Sequence, residues 1–535
     1  MRGSQQPGYG TDFDFGSAEY GQRWPEIYRE LRERCPVARS ERHGGFWVVS
    51  SEAAVTAVAG DDATYSSDHD PTGERGGFRG VGVPFSSGTR SIPQEVDPPE
   101  FFRYRRLLSP RFSHTASEAW RPWLTGLAAA LIDERIESGR IDLVGDLGFP
   151  LPACFVVAWL GLPAEDWREL THPFHTLVSS TPGSPEHTEA GRLLEEVLDL
   201  LRDVVADRRR APRADLISYL TAEEAGLTDE EAVSVCQLLF FGGADSTTAL
   251  LGRALDWLAR HPDERRRVAG DPALLDSATD EFLRYFSPIH FNARTVTRDT
   301  ELNGCPLRAG DRVLISWAAA NHDPAAVDSP ELLRIDRAAA RHLAFGAGIH
   351  RCLGAHFARL MFQTMLGAVL ERLPDYEVIG AEAVDYPSVG QVNGFASLPA
   401  TFTKGERRGP GLGPRRGERP LTHAGTELLL VRHGESVSSR TGTVGGPAGC
   451  GGLTERGREQ VRRLARRLRA DHARHPVDAL YTSPLPRTRE SARIVSAALG
   501  LPAVVEPGLR EADCGTGDGR PWREVVAAFG GTPVL

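Results

Sequence analysis

The segment FGAGIHRCLGAHFARL, Phe345 to Leu360, constrains this chain more than any other stretch. One cysteine, Cys352, follows a glycine-rich turn and precedes an apolar helix. Gly346 and Gly348 lack a Cβ, so the backbone there can approach a flat ligand closely. The following helix points its N-terminal N–H groups and its dipole at the sulfur. Both features favour the thiolate, the form in which cysteine ligates iron. A lone cysteine beside a loop is most often a buried structural residue. The spacing F-G-x-G-x-H-x-C-x-G lifts Cys352 out of that background.

The other six cysteines are scattered and never form a C-x-x-C pair, which argues against a disulfide framework and a structural zinc site. With 535 residues, 41% of them apolar, the chain exceeds a single small module and buries a core. Residues 405–425, GERRGPGLGPRRGERPLTHAG, hold almost nothing apolar and read as a linker. Charge changes sign across it. Residues 405–535 carry 21 arginines against 14 acidic residues, whereas residues 1–404 carry 41 basic against 58 acidic. Two domains are expected, 1–404 and 426–535. The acidic balance of the larger argues against nucleic acid as its partner. The N-terminus lacks a secretory pattern, and the apolar run from Leu151 is too short to span a bilayer, so a cytoplasmic protein with no membrane partner is expected.

Before the linker, periodicity predicts helices near 25–33, 117–138, 191–208, 229–260 and 272–285, with short strands at Phe46 and Asp311. After it, ELLLVRH, GREQVRRLARRLRADHAR, DALYTSP and RTRESARIVSAAL alternate strand and helix, predicting a parallel α/β sheet. The stretch LLFFGGADSTTALLG combines a glycine pair with Asp245, Ser246, Thr247 and Thr248. Such residues weaken the helix ladder and invite a ligand or water into it. Glu281 and Arg284 stand three apart on one helix face, placed for an ion pair.

Taken together, these segments resemble the haem-thiolate cytochrome P-450 family over most of residues 10–404. The resemblance implies a mainly α fold with small β-sheets, one haem b, O2 as co-substrate, and oxygen insertion into a small organic substrate, in bacterial specialised metabolism. By it, Cys352 is the axial ligand, in a loop with Phe345 and Gly346. His350, Arg294 and Arg105 contact the propionates, and Arg337 joins Glu281 and Arg284 in a buried network. Asp245 feeds protons inward, and Ser246 stands where the family usually has threonine. Phe101 replaces the family's usual histidine, with Tyr104 as the candidate substitute contact. The glycine-rich run 72–90 and the segments at Ile289 and Val392 match walls of the substrate pocket.

The chain has no flavin or nicotinamide motif. The resemblance therefore implies electrons from NAD(P)H through an external ferredoxin or flavodoxin and its reductase, steered by Arg103, Arg106, Arg111, Arg341, Arg351 and Arg359. Alternatives are oxidative coupling or dehydrogenation without oxygen insertion, and a haem-based sensor with a regulatory tail.

The C-terminal piece resembles the histidine phosphatase family through LLLVRHGES, LTERGREQ, SPLPRTRESA and LREADCG. By that resemblance His433 is the phospho-accepting nucleophile, Arg432 and Arg487 clamp phosphate, and Glu511 is a candidate proton donor. The family's second histidine has no counterpart before Leu535, so an incomplete and inactive α/β domain is expected.

Overall fold

In a computed structural model the chain divides into two compact units, Met1–Gly413 and Pro414–Leu535. The structure describes residues 9–68, 80–83, 90–271, 273–337, 341–386, 390–409, 429, 431–472, 477–509, 515–521 and 524–525.

In the first unit a mixed sheet is built from β1 (Gly10–Thr11), β2 (Val37–Ser40), β3 (Phe46–Val49), β4 (Tyr65–Ser66), β5 (Phe291–Val296) and β6 (Arg312–Ser316), in the order β1-β2-β3-β6-β5-β4. β3 and β6 are the two strands expected from sequence. They pair in parallel, Trp47 opposite Val313, and every residue of both is buried. Their continuous apolar runs follow from that, since both faces are covered. β5 runs antiparallel to β6 and sets Arg294 opposite Val313.

Helices dominate the remainder. Those that shape the site are α1 (Trp167–Ser179), α2 (Asp229–Gly243), α3 (Asp245–Arg260), α4 (Ala273–Phe286) and α5 (Ala355–Arg372). A reciprocal Thr228–Glu231 capping box starts α2. Periodicity predicts one helix over 229–260, but the structure breaks it at Ala244, with φ −107° and ψ −61°. The cause is local. A Cβ on Gly243 would stand 2.6 Å from Val156 Cγ2, so this turn needs glycine, and glycine weakens the helix it permits. Beyond the break, Thr248 Oγ1 donates within reach of both Ala244 O (3.0 Å) and Gly148 O (2.8 Å). In α5, Phe357, Leu360, Phe362 and Leu366 are all buried, as in a central core helix.

Among the described residues one stretch, Leu143–Leu160, is long and apolar enough to cross a membrane, and 78% of it is buried inside the protein. Residues 405–409, linker by composition, are pinned to the first unit. The Arg408 and Gly409 N–H groups each donate 3.0 Å to Asp133 Oδ2, while Arg372 donates 2.6 Å to Asp133 Oδ1. Hydrogen bonding to a buried carboxylate orders this segment where apolar burial cannot.

The second unit contains α6 (Glu455–His472), β7 (Leu480–Thr482), α7 (Pro486–Leu499) and β8 (Ala503–Val505). β7 and β8 pair in parallel, and α6 packs on α7 through Leu453, Val461, Ala465, Val495 and Leu499. Of the expected strand ELLLVRH, Leu429 and Val431 to His433 are described, and these carry no strand. Leu429 and Val431 are exposed.

Candidate functional site

The cysteine loop leads from the core into α5. Cys352 N–H donates 2.8 Å to Phe345 O, closing the turn. Gly346 and Gly348 have φ of +70° and +69°. A Cβ on Gly348 would lie 1.9 Å from Ala59 O, a backbone collision; one on Gly346 would meet Trp317 at 3.7 Å, ordinary contact. Gly348 therefore fixes how closely the loop approaches the helix Glu52–Gly60. Burial pushes the Cys352 thiol up, while the Gly354 N–H and the charges of Arg105 and Arg351 pull it back. The side chain is nevertheless open to solvent. Desolvation and accessibility are reconciled if the sulfur faces an enclosed hollow.

Arg105 and Arg351 act on this sulfur, and Arg105 and Arg294 on the nearby His350. Arg294 is 5% exposed; burial pushes its guanidinium down to about 10, with Asp97 opposing. Arg105 Nη1 donates 2.9 Å to Arg351 O. His350 is pushed down to about 3 by burial first, then by Arg294 and Arg105, and its buried Nε2 has no hydrogen-bond partner. An unpartnered buried imidazole atom beside two arginines calls for an anion. With a glycine turn for close approach and a thiol at its end, these residues fit a flat macrocycle bearing carboxylates. Phe101 is buried, its ring centroid 4.6 Å from that of His350. Tyr104 is not free to replace the missing histidine. Its hydroxyl lies 2.6 Å from Glu231 Oε1 and 2.8 Å from Glu100 Oε1, so its single proton is committed to carboxylates.

Behind the loop, Arg284 Nε and Nη2 each donate 2.8 Å to Glu281. Arg337 Nε lies 3.0 Å from both Glu281 oxygens, and the Arg334 N–H adds 2.9 Å. Glu281, Arg284 and Arg337 are all buried. The arginines also donate to carbonyls of Asn321, Asp328, Ser329, Pro330 and Leu332, tying down the segment before the loop. Thus the structure brings together the three residues expected to form a network.

At the helix break, Asp245 is the first residue of α3 and is buried, while Ser246 is half-buried. The Ser246 hydroxyl is 3.4 Å from Gly242 O, a long contact that leaves it able to bond elsewhere. Asp245 Oδ1 lies 2.5 Å from His175 Nδ1 on α1, a partner with no signal in the sequence. Asp245 Oδ2, Thr247 Oγ1 and Tyr386 Oη are buried without hydrogen-bond partners. Ile289 and Val392 form a β-bridge and share an apolar cluster with Ala249 and Tyr386. Of the glycine-rich run 72–90, residues 80–83 and Arg90 are described; the rest lies outside the described residues.

Arg341, Arg351 and Arg359, with His342 and Asp280, line a hollow of about 300 Å³ beside the loop. Arg359 pairs with Asp280, and Arg103 with Glu231. Arg106 and Arg111 are exposed. In the second unit, Arg487 is buried and its Nε donates 3.0 Å to His433 Nε2, while His433 Nδ1 lies 2.7 Å from Gly434 O. Arg432 is exposed, and Glu511 lies outside the described residues.

Comparison with known proteins assigns this combination of helical fold and cysteine loop to a class, the haem oxidoreductases that activate dioxygen. The chain matches the Cytochrome P450 family over residues 272–378 and the Histidine phosphatase superfamily (branch 1) over residues 428–534. It is 30% identical over 387 residues to Cytochrome P450 130 of Mycobacterium tuberculosis, covering 70% of this chain and 94% of that protein. It is 33% identical over 389 residues to the cyclomarin C epoxidase CymV of Salinispora arenicola, covering 71% and 95%. The solved structure of CalO2 superposes with a TM-score of 0.65 at 29% identity, covering 74% of this chain and all of that one. P450BioI, solved with an acyl carrier protein bearing hexadec-9Z-enoic acid, gives 0.65 at 26% identity, covering 72% of this chain and 100% of that one. The chain belongs to the cytochrome P450 family. It is a haem monooxygenase that uses dioxygen and takes electrons from redox partners, and bacterial enzymes of secondary metabolism are among its relatives.

Proposed function

We propose that Cys352 would supply the thiolate that ligates the iron of a haem b, whose propionates Arg294, Arg105 and His350 would hold. The observation that carries this reading is the unpartnered, buried His350 Nε2 flanked by two arginines, two residues from the thiol. The haem, when bound, supplies the iron at which dioxygen is activated. The chain's residues do the rest. Gly354 N–H and the charges of Arg105 and Arg351 stabilise the thiolate against the cost of burial. Phe345 and Gly346 shape the turn, and the Phe101 ring packs edge-on against His350. Asp245, buried at the helix break, feeds protons inward, and the Ser246 hydroxyl passes them on through its combined donor and acceptor.

The substrate is a small organic molecule, oxygenated in specialised metabolism, and the electrons come from NAD(P)H through a ferredoxin or flavodoxin. Exposed Arg106 and Arg111, with Arg341 and Arg351 at the hollow, offer a basic face to an acidic carrier. The setting is cytoplasmic. In the second unit, Arg487 and His433 form the remnant of a phosphate pocket that does not turn over.

Turnover with isotopically labelled dioxygen, NADPH and a surrogate ferredoxin system tests the oxygenation. Label in the product of a compound that perturbs the haem spectrum is the expected outcome. Product formed without label would favour dehydrogenation or coupling instead.

A further inference from the structure

Asp245 is more closely held than a relay acid needs to be. Its side chain is 3% exposed, and Oδ1 meets His175 Nδ1 at 2.5 Å. His175 comes from α1, a different helix, and keeps 17% of its side chain exposed, so water can reach the imidazole more readily than the buried carboxyl. The Phe149 ring, centroid 4.2 Å away and tilted by 35°, packs against the imidazole, and Tyr386 stands edge-on at 6.1 Å. These contacts define one ring orientation.

A buried carboxylate with a single hydrogen-bond donor is costly, and a proton shared with an imidazole offsets that cost. The other carboxyl oxygen, Oδ2, has no partner, and neither has Thr247 Oγ1 two residues along the same turn. One oxygen is thus committed to α1, while the other remains open to bonding. Other ionisable groups around the pair are few. His172, on α1, is held below its usual range by burial, then by His175 and Arg168. Tyr386 is pushed up by burial, then by Asp245, with Arg253 of α3 opposing.

We infer that His175 is the positioning residue through which Asp245 is resupplied with protons. The inference rests on the proposed relay of Asp245 and Ser246. In each cycle water gives a proton to Nε2 of the Nδ1–H imidazole, and the Nδ1–H bond of the resulting imidazolium breaks as the Oδ1–H bond forms. The neutral Nε2–H imidazole left behind returns to the Nδ1–H tautomer by proton exchange with water, so one proton moves inward per cycle and no electrons are transferred.

Two measurements on the haem-loaded chain test this. In the diamagnetic, carbon-monoxide-bound reduced protein, a strongly deshielded exchangeable proton is expected in the proton spectrum, absent from both His175→Gln and Asp245→Asn. Its presence in either variant, or its absence from the wild type, overturns the inference. Second, dithionite-reduced protein is mixed with air-saturated buffer in H2O and in D2O. His175→Gln, with His175→Asn as a second variant, is expected to slow re-oxidation roughly tenfold and enlarge the solvent isotope effect. The carbon monoxide spectrum reports whether each variant still holds haem. The double variant with Asp245→Asn should be no slower than either single one, because both lie on one path. Slowed Asp245→Asn with unchanged His175 variants sinks the His175 step alone; unchanged Asp245→Asn sinks the relay beneath it.

Discussion

Arg337 Nε lies 3.0 Å from both oxygens of Glu281, a carboxylate already gripped by Arg284 at 2.8 Å. Burial pushes the Glu281 carboxyl up, but hydrogen bonds from Arg284, the Arg334 N–H and Arg337 outweigh it and hold the group below its usual range. Removing Arg337 leaves a buried charge short of partners, so Arg337→Ala should destabilise the first unit by about 3–5 kcal/mol and reduce haem retention. Thermal unfolding and bound haem per chain measure both.

The same group sets a pH dependence with a definite sign. Because its folded-state pKa is depressed, its contribution is fully present above the unfolded value of about 4.3 and is lost as pH falls through the lower folded value. Acid should therefore lower the melting temperature of wild type below about pH 4. Glu281→Gln, if it folds, should show a weaker slope there. Parallel slopes would remove Glu281 from the acid response.

Gly346 and Gly348 share a positive φ but differ in surroundings. Gly348→Ala drives a Cβ into Ala59 O at 1.9 Å and should abolish haem incorporation, whereas Gly346→Ala meets Trp317 at 3.7 Å. The latter should cost only the backbone strain of about 1–2 kcal/mol. The ratio of haem absorbance to protein in the two purified variants separates them.

At the helix break, Ser246 lacks the methyl that restricts a threonine rotamer, but its hydroxyl has only a 3.4 Å contact with Gly242 O to satisfy. Ser246→Ala should raise hydrogen peroxide released per NAD(P)H consumed. Ser246→Thr should hold it level or lower it. Unchanged coupling in the alanine variant would remove Ser246 from proton delivery.

In the second unit, Arg487 Nε donates 3.0 Å to His433 Nε2, occupying the lone pair that would attack phosphorus. The other described histidine there, His472, accepts from Val477 N–H at 2.9 Å at the end of α6. His433→Ala should therefore leave p-nitrophenyl phosphate hydrolysis unchanged from background. Hydrolysis that depends on His433 would contradict an inactive remnant.

What the sequence made legible is what lies close together along it. The loop from Phe345 to Cys352 is contiguous, so its glycines, histidine and cysteine could be read as one device. Glu281 and Arg284 are one turn apart, and the family resemblance points to Arg337 in the segment before the loop. His175 escaped because it stands 70 residues from Asp245 on another helix, joined only by tertiary packing. Tyr104 was misread for a related reason: its hydroxyl is claimed by Glu231, 127 residues away. The break at Ala244 was visible as a weakness in a helix but not as a division, since the close approach of Val156 that demands Gly243 is again long-range.

The central claim is that Cys352 presents a thiolate to haem iron, and the carbon-monoxide difference spectrum of the reduced protein tests it most directly. The account predicts the red-shifted Soret band of thiolate-ligated haem in wild type, absent in Cys352→Ala. A wild-type spectrum with only the unshifted band of neutral axial ligation, or a red-shifted band that survives Cys352→Ala, would contradict it.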